Sequence, residues 1–379
     1  MTKIKANMKN ISSLYIHFPF CRHLCNYCDF YKFKLDNQGQ VTDFENKLLE
    51  QIDDNNRLLT SYGYKFEPLD TLYIGGGTPS LWSHAGAAFI KNHIIQDIEL
   101  SPGCEFTIEI DPGTWTSSEI AKWIEIGVNR FSIGIQAFDE NFKNYLDRAH
   151  TMEEAKELLK FMEVNKLNFS VDLMLGLPFS EVETRNIDRE IEQLVKYNPS
   201  HFSVYILKTR ANYKHKDSLP TDDYTAIEYE NVCRNLDERG YEQYEVSNFA
   251  KPFKRSRHNL KYWKSESVAS LGSNATGLIN LGESAVRYQW KSIGTGASIE
   301  EIEKDSFLLE KIYMSLRSCL GLEFEIFSPK DQSKLKSIVD KWSNRGYIKS
   351  VDAQKIVLNS SGFIVLDSLM DDIFRDLSI

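Results

Sequence analysis

Three of the six cysteines in this 379-residue chain crowd into one segment, His17-Phe18-Pro19-Phe20-Cys21-Arg22-His23-Leu24-Cys25-Asn26-Tyr27-Cys28-Asp29-Phe30. Cys21, Cys25 and Cys28 have the spacing CxxxCxxC, while Cys104, Cys233 and Cys319 stand alone and read as small buried apolar residues. In a reducing compartment, clustered cysteines mark metal or redox chemistry more often than disulfides. Three thiolates do not complete a closed zinc site, and no second CxxC pair follows. They can hold three irons of a [4Fe–4S] cluster and leave the fourth iron open to an outside ligand. Two other readings stand beside this one at the level of spacing: a zinc site completed by His17 or His23, and a chance grouping.

A second set of residues has the chemistry to hold a polar ligand. Gly75-Gly76-Gly77-Thr78-Pro79 is a turn whose glycines let backbone approach a ligand closely. Glu109, in EIDPG, and Asp172, in VDLMLGLP, are carboxylates able to accept from ribose hydroxyls, and Arg148, in YLDRAH, can pair with a ligand carboxylate. Gln136 ends a β-type run. Taken singly, each is equally well an ordinary turn, a structural hydrogen bond or a surface ion pair.

The elements that would position these residues are legible as a rhythm. Short β-type runs at Leu14–Phe18, Thr71–Ile74, Phe106–Ile110, Arg130–Gln136, Phe169–Leu175 and His201–Leu207 alternate with helical patterns at Asp43–Leu58, Gly86–Ile98, Ser117–Ile126, Met152–Val164 and Glu183–Val195. Strand-then-helix repetition predicts parallel strands, and six units suit an open barrel of the α/β class, a partial (β/α)6 TIM-like barrel. Side chains alternate faces along a strand. One face carries Leu14, Ile16, Phe18, Leu72, Ile74, Ile108, Ile110, Phe131, Ile133, Ile135, Val171, Leu173 and Leu175, and should pack on the helices. The other carries Tyr15, His17, Tyr73, Gly75, Thr107, Glu109, Asp111, Ser132, Gly134, Gln136, Ser170, Asp172, Met174, His201, Ser203 and Tyr205. That is an interior furnished for a polar ligand. Asp222–Gly240 reads as a helix with a glycine cap. The expected division is 1–240 for the barrel, 241–305 for a connecting region, and 306–379 for a small α+β domain of winged-helix type. Within the last, Ile356–Leu358 and Phe363–Val365 are expected to form a hairpin.

Composition bounds the function. Hydrophobic residues are 42% and charged residues 26%, the profile of a folded chain. The formal net charge of −9 argues against a partner such as nucleic acid bound non-specifically. No apolar run approaches the roughly 18 residues of a membrane span, and the first residues have no signal-peptide core, so a cytoplasmic location is expected.

Together, the run SLYIHFPFCRHLCNYCDF and the strand-helix order resemble the radical S-adenosylmethionine superfamily, in the branch that holds oxygen-independent coproporphyrinogen III oxidases and HemW-type heme chaperones. The resemblance implies that Cys21, Cys25 and Cys28 hold a [4Fe–4S] cluster whose open iron chelates S-adenosylmethionine. One electron then cleaves the sulfonium and releases a 5′-deoxyadenosyl radical. It also implies that Gly76, Gly77, Thr78, Glu109, Gln136, Arg148 and Asp172 contact S-adenosylmethionine, with Tyr15 and Tyr27 beside ligand and cluster. The decarboxylases extend the motif to CxxxCxxCxC. Here Asp29 and Phe30 follow Cys28, as in the chaperones. Arg257-His258-Asn259-Leu260-Lys261-Tyr262-Trp263 is similar to the HNxxYW motif associated there with heme. By that likeness His258 is a heme contact, Tyr262 and Trp263 offer flat faces, and Arg255 and Arg257 offer partners for propionates. By residue chemistry alone the same segment reads equally as a polar cap over an aromatic core. The segment Leu271-Gly272-Ser273-Asn274-Ala275-Thr276-Gly277 lacks the histidine that relatives carry, and Leu358–Gly362 reads LNSSG where LTxxG is usual. The expected partners are heme or another tetrapyrrole, heme-receiving apoproteins, an electron donor and a peripheral membrane contact. The alternative is decarboxylation of coproporphyrinogen III.

Overall fold

The computed structural model describes residues 8–292 and 296–377. Six strands lie parallel and adjacent in chain order: β1 (Lys9–Phe18), β2 (Tyr64–Gly76), β3 (Leu100–Ile110), β4 (Arg130–Gln136), β5 (Phe169–Leu175) and β6 (His201–Ile206). Between successive strands run α1 (Gln38–Ser61), α2 (Ser83–Ile90), α3 (Ser117–Glu125), α4 (Met152–Val164) and α5 (Ile187–Leu194), with α6 (Asp222–Glu238) after β6. Several starts are fixed by side-chain caps. Thr116, Thr151, Asn186 and Thr221 each accept from a backbone N–H three residues on, and Thr151 forms a capping box with Glu154.

The faces fall as alternation dictates. Leu14, Ile16, Phe18, Leu72, Ile74, Phe131, Ile133, Ile135, Val171, Leu173 and Leu175 are all at most 1% exposed and share one core with the helices. Burial of each contributes about 1.5–3 kcal/mol. The register keeps the inner face in rows: Tyr15 is level with Tyr73 and Tyr73 with Thr107, Glu109 with Ser132, and Gly134 with Asp172 and Asp172 with Ser203.

The chain beyond residue 240 adds strands to the same sheet. Strands β7 (Glu242–Gln243) and β8 (Asn248–Ala250) extend the sheet antiparallel beyond β6. After α7 (Arg257–Trp263) the chain returns to the other edge, where β9 (Ala269–Leu271) pairs parallel with β1. The nine-stranded sheet therefore has β9 and β7 as its two edges, and the barrel is open. A three-stranded antiparallel sheet follows, β10 (Thr276–Asn280), β11 (Ala285–Trp290) and β12 (Ala297–Ile302). Its Tyr288 hydroxyl donates to Asn55 (2.8 Å) and its Trp290 indole to the Ser270 carbonyl (2.6 Å), so it is tied to the barrel wall. One core runs from Ile11 to Trp290.

A second core belongs to the C-terminal α+β unit: α8 (Lys304–Leu316), β13 (Leu322–Glu323), α9 (Pro329–Asn344), β14 (Ile348–Val351), β15 (Lys355–Leu358), α10 (Ser360–Ile364) and α11 (Leu366–Asp376). Ile356–Leu358 is a strand, but its hairpin partner is β14. Phe363–Val365 is not a strand. The Asn359 side chain accepts from the Gly362 N–H (2.9 Å) and starts a helical turn there. No helix among the described residues is long and apolar enough to cross a membrane.

Candidate cofactor site at the mouth of the barrel

The cysteine segment leaves β1 at Phe18 and is pinched into a loop. Phe20–Cys21 pairs in parallel with Phe33–Lys34, the Phe33 N–H donates to the Pro19 carbonyl (2.7 Å) and the Leu35 N–H to the Cys21 carbonyl (2.9 Å). Inside this loop Lys32 donates to the Cys28 carbonyl. Cys21, Cys25 and Cys28 are free thiols opening onto one cavity of about 430 Å3, within the roughly 300–1,000 Å3 usual for ligand pockets. Its walls include Gly76, Gly77, Thr78, Glu109, Gln136, Arg148, Asp172 and Tyr27. Eleven expected site residues, contributed by four strands and three loops, are thus brought together.

Two are not. Tyr15 lies deeper, its hydroxyl hydrogen-bonded to His17 Nδ1 (3.0 Å) and its ring against Tyr73. His258 is 2% exposed at the other end of the barrel interior. There its Nδ1 meets the Thr71 hydroxyl (2.9 Å), its Nε2 faces the Tyr262 hydroxyl (3.3 Å), and its ring packs on Tyr73. The helix that carries it is pinned by Glu105, which accepts from the backbone N–H groups of Arg257 (3.0 Å) and His258 (2.9 Å). Burial pushes the His258 imidazole down to about 3. Arg255 pairs with Glu242 (2.7 Å), and Arg257 donates to the Gly103 carbonyl (2.7 Å). The polar groups of this segment, where the heme contacts are expected, are engaged within the barrel floor.

The zinc alternative loses His17 as a fourth ligand, because both of its ring nitrogens are engaged, one by Tyr15 and the other by the Tyr31 carbonyl (2.8 Å), while His23 is held through Nε2 by Asp147 (3.0 Å). Among the described residues, no three His, Cys, Asp or Glu side chains converge as a single ion requires. Three thiols set around a cavity suit a larger body held at three corners.

The glycine turn is required by space. A Cβ on Gly77 would lie 2.6 Å from the Phe20 carbonyl oxygen, and Gly76 has φ 117° with its Cβ position 2.6 Å from the His17 ring. The N–H groups of Gly76, Gly77 and Thr78 are spent on Glu109 (3.0 Å), the Phe18 carbonyl (2.7 Å) and the Phe20 carbonyl (2.7 Å). The turn thereby fastens the cysteine loop to β2. Gly77→Ala is expected to push that loop away and to lower cluster content in anaerobically reconstituted protein several-fold, while circular dichroism shows the barrel intact.

Buried charge is concentrated at this end. Glu109 accepts from the Tyr73 hydroxyl (2.8 Å), and burial raises its carboxyl to about 7 despite that bond. Asp172 accepts from Ser132 (2.8 Å) and Ser170 (3.2 Å), and burial raises it too. Asp111 behaves oppositely. Burial opposes its ionisation, but the paired Arg148 guanidinium outweighs this and holds the carboxyl well below the usual range. Arg148 also donates to the Gly134 carbonyl (2.7 Å), and its Nη1 reaches Cys25 Sγ at 3.9 Å. Its Nε is buried with no partner. The expected ligand-carboxylate partner is thus an arginine held between Asp111 and Cys25. Gln136 sits at φ 66°, a left-handed backbone uncommon outside glycine, at an irregularity in the β4–β5 register. Asp111, Tyr73, Ser132 and Ser170 had no assigned role in the sequence, although their inward parity was the signal that could have found them.

The profile of the Radical SAM superfamily matches residues 15–191. A heme chaperone HemW from Buchnera aphidicola subsp. Acyrthosiphon pisum is 30% identical over 272 residues, covering 70% of this chain and 70% of the relative. The chain belongs to the radical SAM superfamily. Its cofactors are accordingly a [4Fe–4S] cluster and S-adenosylmethionine, and the donor set described above fits both. A heme chaperone HemW from Buchnera aphidicola subsp. Schizaphis graminum is 29% identical, covering 94% of this chain and 98% of the relative. Among solved structures, coproporphyrinogen III oxidase (HemN) from Escherichia coli superposes with a TM-score of 0.79 at 19% identity, covering 98% of this chain and 91% of that one. That likeness concerns the fold.

Proposed function

We propose that this radical SAM protein is a HemW-like heme chaperone, which binds heme and delivers it to apoproteins. Cys21, Cys25 and Cys28 would hold the cluster. Gly76, Gly77, Thr78, Glu109, Gln136, Arg148 and Asp172 would surround S-adenosylmethionine, with Tyr27 beside it and Tyr15 supporting the wall from below. When bound, the pair supplies one-electron chemistry at a sulfonium. The chain's own residues do the rest. Arg148 places positive charge beside Cys25 and offsets the charge of a thiolate. The turn at 76–78 has its N–H groups committed, so it offers carbonyl oxygens, which are partners for an ammonium group. Glu109 and Asp172 are hydrogen-bond acceptors in the cavity wall that would take ribose hydroxyls. A cytoplasmic location, an electron donor and a peripheral membrane contact belong to this reading.

The observation that carries the chaperone reading is the end of the cysteine segment: Cys28 is followed by Asp29 and an exposed Phe30, where the decarboxylases carry a further cysteine. The fold shared with a coproporphyrinogen III oxidase supports the alternative, an enzyme converting coproporphyrinogen III to protoporphyrinogen IX. One sample separates them. Anaerobically reconstituted protein is expected to retain hemin through gel filtration, with a shifted Soret band, and to leave coproporphyrinogen III unchanged in the presence of S-adenosylmethionine and reductant. Turnover without hemin retention would reverse the assignment.

A further inference from the structure

The open end of the barrel carries groups that neither the cluster nor S-adenosylmethionine uses. Phe30 lines the cavity yet is 67% exposed, and Tyr205, also on its lining, is 42% exposed. Exposed aromatic rings at the rim of a cavity mark a surface that a partner covers. Of the exposed cations on the same lining, Arg22 donates to the Gly113 carbonyl (2.8 Å), and Lys208 takes part in no hydrogen bond or ion pair among the described residues. His23 is the one histidine among the described residues that line the cavity. Its side chain is 42% exposed, and Nε2 is held 3.0 Å from the Asp147 carboxylate. A carboxylate on one ring nitrogen fixes the tautomer and leaves the other as a lone-pair donor, the arrangement found behind metal-ligating imidazoles. A flat apolar face, the unpaired Lys208 cation and a free imidazole nitrogen therefore line one cavity mouth.

We propose that this rim is the tetrapyrrole site, with the macrocycle on Phe30, a propionate toward Lys208, and His23 Nδ1 as the base that takes the iron. The proposal rests on the reading of the chain as a heme binder and gives that reading a place. It differs from the floor of the barrel, where His258 is 2% exposed with both nitrogens engaged. Heme at the rim lies over the cofactor cavity, and solvent reaches it from outside, as release to a second protein requires.

The test is a hemin titration of the full, anaerobically reconstituted chain, followed at the Soret band, with iron and sulfide measured in each preparation. Wild type is expected to give the band of imidazole-ligated heme. His23→Ala is expected to lose that band, and added imidazole to restore it. Lys208→Glu is expected to weaken hemin binding about tenfold or more, the scale of a lost charge-assisted contact. Hemin dimethyl ester, with its propionates neutralised, should bind wild type and Lys208→Glu alike. If wild type gives no band with hemin, the heme reading falls and this site with it. If wild type binds hemin while both variants keep its band and affinity, heme is bound elsewhere and only the site is overturned. Should His23→Ala lose its cluster, Lys208→Glu decides, because Lys208 stands outside the cysteine loop.

Discussion

Replacing Cys25 with alanine is expected to leave the anaerobically reconstituted protein colourless, with iron and acid-labile sulfide reduced at least about tenfold. The reason is cooperative. The three cysteines share one loop closed at Phe20–Cys21 and Phe33–Lys34, and burial pushes the free Cys21 thiol up to about 11 and raises Cys25 as well. Thiols of that kind ionise because a metal centre takes them together, so losing one weakens the hold of the other two. Cys25 is also the cysteine that Arg148 reaches. Cys104→Ala is the matched control. That residue is 5% exposed in the barrel core, far from the loop in sequence, and its removal should leave iron and sulfide at the wild-type level.

Arg148→Met is expected to be the most destabilising single change at this end of the barrel. It leaves the Asp111 carboxylate buried without its cation, a loss of about 3–5 kcal/mol for a broken buried pair. The pH dependence gives the mechanism away. In wild type the folded-state carboxyl is held below its unfolded value by Arg148, so the pair's stabilisation is complete above about pH 4 and fades only as pH falls further. In the variant, burial, the largest influence on this carboxyl, is opposed only by His150 and the Gly113 N–H, and the folded-state carboxyl is raised. The variant is then penalised progressively as pH rises from about 4 toward neutrality, and the gap to wild type in urea unfolding should be wider at pH 7 than at pH 5. A gap of constant size would assign Arg148 a packing role alone. Arg148→Lys, which keeps a charge but not the fork to the Gly134 carbonyl, should recover part of the loss.

How far the sequence could be read follows from which contacts are local. Alternation along β1 to β6 separates Leu72 and Ile74 from Tyr73, so the cavity lining was visible before any tertiary contact was known. Strands β7, β8 and β9 were not, because each has only two or three residues and owes its state to an edge already built by distant chain. The same limit hid the fate of His258. The segment around it has only seven helical residues, and its pinning acceptor, Glu105, lies about 150 residues earlier. Phe363–Val365 has strand-like side chains, but the Asn359 cap decides in favour of helix. Arg148 was read from the sequence as a partner for a ligand carboxylate alone. A cation of that kind suits a ligand carboxylate, and only the tertiary fold reveals that Asp111 already occupies it.

The account stands on an open iron beside the turn at Gly76 and Gly77. The most direct measurement is the electron paramagnetic resonance spectrum of the chemically reduced, reconstituted protein, recorded before and after S-adenosylmethionine is added. The prediction is a reduced [4Fe–4S] signal, from about four irons per chain, whose shape changes on addition, and changes far less in Gly77→Ala. A spectrum indifferent to S-adenosylmethionine, or a protein that takes up zinc and no sulfide, would contradict it.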